Sequence, residues 1–137
     1  MKVLTFRLGQ FAVSALFLTV LFRYALHLCI GMEGSFEATL CSIGYFCLMF
    51  LLGWYIGGKD EAENGIHDIG FRFHAITYLL SIGLGYASFY IGWNAENFKT
   101  TSFIGVCWGI GLLLHFIFFL IAQKETIKGY KKEELFQ

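Results

Sequence analysis

Two histidines, one arginine and an acidic run carry what chemistry this chain can do. His74 opens an apolar stretch, Phe71-Arg72-Phe73-His74, and His115 lies within another, Leu112-Leu113-Leu114-His115-Phe116. Imidazoles on two facing helices can hold a b-type haem between them, so His74 and His115 are the candidate cofactor-binding pair. Both rings must then lie at similar depth. On a rise of ~1.5 Å per residue they differ by roughly 7 Å, which counts against haem. Tyr78, one turn after His74, falls at nearly the depth of His115. A His115–Tyr78 hydrogen bond is the simpler expectation, because it satisfies two polar groups that lipid cannot.

Arg23 sits inside an apolar run, with His27 one turn on and on the same face. A charge in such a run is costly. One reading has Arg23 snorkel to the outer headgroups, with Glu33 or Glu37 as counter-charge. The other makes it a docking charge for a partner subunit or an anionic ligand. The run Lys59-Asp60-Glu61-Ala62-Glu63-Asn64-Gly65-Ile66-His67-Asp68 could hold a divalent ion only at a non-standard spacing, so a solvated acidic loop is expected and no metal site. Gly57-Gly58 reads as a helix stop, since no Lys-Ser/Thr follows at phosphate-loop spacing. Cys29, Cys41, Cys47 and Cys107 form no Cys-x-x-Cys pair and read as small apolar residues. Cys29 and Cys41 lie close enough to the outer face to pair, and the sequence does not say whether they do.

The elements that must position these groups follow from hydropathy. The chain has 137 residues, 57% of them hydrophobic and 19% aromatic, with no proline. A water-soluble domain of this length cannot hide that much apolar surface. Four apolar stretches, 8–30, 36–57, 71–93 and 102–122, each come near the ~20 residues that cross a bilayer. In lipid, backbone groups must bond within the segment, which favours helix. The expected fold is an all-α membrane protein of four transmembrane helices, in two antiparallel hairpins that form a bundle. The first hairpin takes residues 1–58, a polar cytoplasmic loop 59–70, the second hairpin 71–122, and a charged cytoplasmic tail 123–137.

Lys2, Arg7, Lys59, Arg72, Lys124, Lys128, Lys131 and Lys132 fall on one side of these stretches, and Lys99 alone on the other. The positive-inside rule then places both termini in the cytoplasm of a bacterial inner membrane. Lys2 and Arg7 before an apolar run imitate a secretory signal, but no small-x-small site follows, so an uncleaved first helix is expected. Gly105, Gly109 and Gly111 give the last stretch a small face for helix contact, within the chain before any dimer seam. The formal charge of zero gives no field for nucleic acid.

The second half also carries paired motifs, His74-x-x-x-Tyr78 and Trp108-Gly109-x-Gly111-x-x-x-His115. Over roughly residues 68–135 the chain resembles the 2TM domain family, small bacterial membrane hairpins. The resemblance implies a helical hairpin with those six residues as its signature, and little about mechanism. It departs from that pattern in having no Asn between Leu79 and Gly85.

Three functions fit this sequence. The first is a non-enzymatic accessory or scaffold subunit with no cofactor, in contact with lipids and with other membrane subunits or copies of itself. Arg23, His27, Tyr78, Trp108, Gly105, Gly109 and Gly111 would then be structural or interaction residues. The second is a haem b- or quinone-linked redox subunit using His74 and His115. The third is a small transporter or channel built on Arg23 and the glycines, for which no acidic residue lies deep in a stretch.

Overall fold

The computed structural model describes residues 4–32, 34–64, 70–93 and 97–133, with the side chains of α4 described through residue 121 and at 124. It holds four α-helices: α1 (Phe6–Gly31), α2 (Ser35–Asn64), α3 (Phe71–Tyr90) and α4 (Phe98–Glu133). Local chemistry sets their ends. The Thr5 side chain caps α1 by accepting from the Leu8 amide at 3.1 Å. Asn97 does the same for α4, accepting from the Thr100 amide at 2.8 Å. At the end of α3, Gly92 takes φ 78°, and the Trp93 amide reaches back to the Ser88 carbonyl at 2.9 Å. That is a Schellman cap, in which a side chain at Gly92 would be strained.

Among the described residues, three helices are long and apolar enough to cross a membrane: Phe6–Gly31, Ser35–Asn64 and the Phe98–Ile121 part of α4. The shorter α3 does not reach that measure, because Arg72, His74, Thr77, Ser81 and Ser88 dilute its apolar residues. The last helix runs on into the charged tail, as expected. The Gly57-Gly58 pair, expected to end a helix, does not: α2 continues through it to Asn64. Gly57 lies against the Phe73 ring, so the glycine answers to packing rather than termination.

Helix α1 lies between α2 and α3, and α4 packs on α3. Leu8, Phe11, Ala15, Thr19, Arg23 and Leu26 are the buried residues of α1, at spacings of three and four that make one face. Its first half meets Met49, Ile56 and Phe73 in the hydrophobic core, with Phe11 edge-on to Phe73 at 4.9 Å. Its second half is polar on the same buried face. In lipid this inversion is stable, since the hydrocarbon outside is as apolar as any core.

Candidate functional site

The polar half of α1 faces a chain of hydroxyls. Thr19 Oγ1 donates to the Ala15 carbonyl at 2.7 Å and stands 2.9 Å from Tyr45 Oη. Tyr45 Oη is in turn 3.2 Å from Ser81 Oγ. A threonine has one hydroxyl hydrogen, and Thr19 gives it to Ala15. Tyr45 therefore donates to Thr19, and Ser81 donates to Tyr45. One seam thus joins α1, α2 and α3.

Arg23 ends the seam. Its guanidinium is buried, with Nη2 donating to the Ser81 carbonyl at 3.3 Å. A Cβ built on Gly85 would come 2.7 Å from that Nη2 and 3.1 Å from Thr101 Cγ2. Gly85 is therefore the residue that lets the guanidinium lie flat on α3. Thr19, Arg23, Tyr45, Ser81 and Thr101 border a cavity of about 140 Å³. The expectation that Arg23 snorkels outward is corrected: the side chain turns into the bundle. Glu37, expected as its counter-charge, folds over Gly34 at the start of α2, and Glu33 lies outside the described residues. His27 is half-buried one turn further along α1 and adds nothing to the hydroxyl seam. All four cysteines, Cys29 and Cys41 included, are free thiols.

His74 and His115 do meet. Their rings lie edge to face at 4.8 Å between centroids, inside a cluster with Phe71, Phe116 and Phe119. The offset of roughly 7 Å assumed in-register helices, and the packing of α3 on α4 removes it. Rings in direct contact leave no layer for a macrocycle between them, so this geometry does not fit a haem sandwiched by the pair. The expected His115–Tyr78 bond is also replaced. Tyr78 Oη donates to the Gly105 carbonyl at 3.1 Å, and its ring stands edge-on to Trp108 at 5.9 Å. Gly105 and Gly109 carry the close approach of α3, over Ile82 and over the Tyr78 hydroxyl respectively. Gly111 faces open space, so it does not draw α3 in.

Residues 59–64 of the acidic run are not loop: they continue α2. Asp60 is buried on α2 and accepts from Arg72 Nη2 at 2.7 Å and from Asn64 Nδ2 at 3.0 Å. Nearly one turn further along α2, Arg7 Nε donates to Glu63 Oε2 at 2.9 Å. The two ion pairs stand at the same end of α2 and tie it to both α1 and α3. His67 and Asp68 lie outside the described residues, and among those described no group of three or more metal-ligating side chains gathers.

Above the Arg72–Asp60 pair runs a groove of about 720 Å³, open along one side. Phe46, Phe50 and Trp54 of α2 line one wall, and Phe73, Thr77 and Trp108 the other. Gly53 and Gly57 keep the space between them open. Sequence reading missed this groove. Its signal was the Gly53-x-x-x-Gly57 spacing beside Phe46, Phe50 and Trp54, all on one side of α2.

Compared with family models, with curated proteins and with solved structures, the chain finds no match. The likeness to 2TM hairpins therefore rests on the motif residues alone.

Proposed function

We propose that this chain is a non-enzymatic, four-span accessory or scaffold subunit of a larger membrane complex, with both termini in the cytoplasm. The observation that carries this reading is what the membrane-embedded polar groups do. Thr19, Tyr45, Ser81 and Arg23 tie three helices together through hydroxyls and a backbone carbonyl. A catalytic constellation needs a nucleophile, a base and a group to orient the base, converging on one point. A hydroxyl seam anchored on backbone carbonyls serves packing instead.

The fourth span in this reading is α3. It is shielded by α1 and α4, which lets it carry more polar residues than a lipid-facing helix can. The bias of basic residues supports a cytoplasmic position for both ends and an inner-membrane location. The interaction surfaces are the apolar outer faces of α2 and α4. Gly111, open to the outside, and Cys107, one turn before it, form a smooth strip on α4 that another helix can approach closely. The partner is another membrane subunit or a second copy.

A photo-activatable side chain at position 111, irradiated in native membranes, tests this. The expected product is one adduct of defined mass, absent when the same group replaces Leu79 on exposed α3 surface. A ladder of adducts, or lipid adducts alone, would refute a partner on α4.

A further inference from the structure

We propose that His74 and His115 form a two-histidine site for one divalent transition-metal ion, which pins α3 to α4 near one end of the bundle. The site is independent of whether the chain serves a larger complex.

Ring spacing carries the proposal. A metal–imidazole bond is about 2.0–2.1 Å long, and a further ~1.1 Å separates the bonded nitrogen from the ring centre. Each ring centre then stands about 3.2 Å from the ion. Two rings on opposite sides of an ion, as in a haem, have centres about 6.4 Å apart. Two rings that meet an ion between a right angle and a tetrahedral angle have centres about 4.5–5.2 Å apart. The centroids of His74 and His115 are 4.8 Å apart. The spacing that rejects a haem is therefore the spacing of two adjacent ligands on a single ion. The ring planes stand at 61°. Rotation about χ2, a soft torsion in histidine, aims one nitrogen of each ring at the ion and leaves the ring centres nearly in place.

The helices hold this spacing before any ion binds. Tyr78, one turn after His74, donates to the Gly105 carbonyl and sets the slide of α3 against α4. Phe71 packs on His115, Phe116 and Phe119 one turn before His74. A preformed pair of ligands costs little ordering on binding. The pair is also within reach of water. His74 is exposed and lines the open groove, with His115 half-buried beside it. Arg72, two residues before His74, pairs with Asp60 at the charged end of the helices, which is the level of headgroups and water.

The donors decide the class of ion. Imidazole suits Zn2+, Cu2+ and Ni2+, whereas Mg2+ and Ca2+ take oxygen. Among the described residues no third protein ligand gathers, so water completes the coordination. An imidazole binds a metal through one ring nitrogen and keeps the other for a hydrogen bond. Contacts of either ring with its surroundings are thus compatible with the site.

The test uses the full-length chain without an affinity tag, in detergent micelles, stripped of metal by a chelator and titrated calorimetrically with zinc chloride. One Zn2+ should bind per chain, and magnesium chloride should give no binding. His74→Phe and His115→Phe each keep an aromatic ring in the cluster. Each should weaken zinc binding by more than about a hundredfold, since losing a ligand costs more than losing its outer-shell partner. His27→Phe, on α1, should bind zinc as the wild type does. Zinc should raise the unfolding midpoint of the wild type and of neither His74→Phe nor His115→Phe. No zinc bound by the wild type, one ion per two chains, or magnesium bound as tightly as zinc would overturn the site. So would wild-type zinc affinity in a helical, monodisperse His74→Phe or His115→Phe.

Discussion

Replacing Tyr45 by Phe removes one oxygen from the centre of the bundle and nothing else. The ring stays, and so does its stack on Phe22, whose centroid lies 4.2 Å away. Two bonds are lost, one to Thr19 and one from Ser81. Polar contacts between helices in a membrane average about 0.6 kcal/mol each, so the sum is about 1.2 kcal/mol. Ser81 can turn its hydrogen back to a carbonyl one turn earlier on its own helix, which recovers part of its share. Thr19 keeps its bond to Ala15 and loses only an accepted hydrogen. A net loss of about 1 kcal/mol is expected. The assay is reversible unfolding in mixed micelles with a rising fraction of denaturing detergent, followed by far-ultraviolet circular dichroism. Thr19→Val breaks the same Thr19–Tyr45 bond from the other side. The double variant should therefore lose less than the sum of the singles, by about 0.6 kcal/mol. No loss for Tyr45→Phe, or strict additivity in the double variant, would show that the seam does not hold α1, α2 and α3 together.

Arg72→Ala should cost about 3–5 kcal/mol, because it strands the Asp60 carboxylate in a buried site. Arg72→Met combined with Asp60→Leu should restore most of that stability in the same unfolding assay. Gly85→Ala should cost about 1–3 kcal/mol, since the new Cβ would stand 2.7 Å from Arg23 Nη2 and the guanidinium must move. Arg23→Met should relieve the part of that cost owed to the guanidinium in the double variant, leaving the part owed to Thr101 Cγ2.

Hydropathy made the helices legible, and the ends of α1 and α4 follow from Thr5 and Asn97, which are ordinary cap residues. The order of helices in the bundle was not legible. A helix that is apolar all round gives no face to read, and in lipid the buried face of α1 is the one with Thr19 and Arg23. Asp60 looked solvated because its partner, Arg72, lies on the next helix, and only the extension of α2 to Asn64 brings them together. His74 and His115 were legible as a pair, but their separation was not. A rise per residue fixes depth within one helix, not the slide of one helix against another. Tyr45 lies mid-span, but its partners Thr19 and Ser81 are on other helices, and their convergence is not written in its own segment.

The account depends most on α3 crossing the membrane, since three spans and four spans place the termini differently. Fusing a reporter active only in the cytoplasm, and one active only outside it, to each end of the full-length chain decides between them. Four spans require both ends to report the same side, and the bias of basic residues predicts that this side is the cytoplasm. Ends on opposite sides would remove α3 as a span, and with it the bundle in which Arg23, Tyr45 and Ser81 meet.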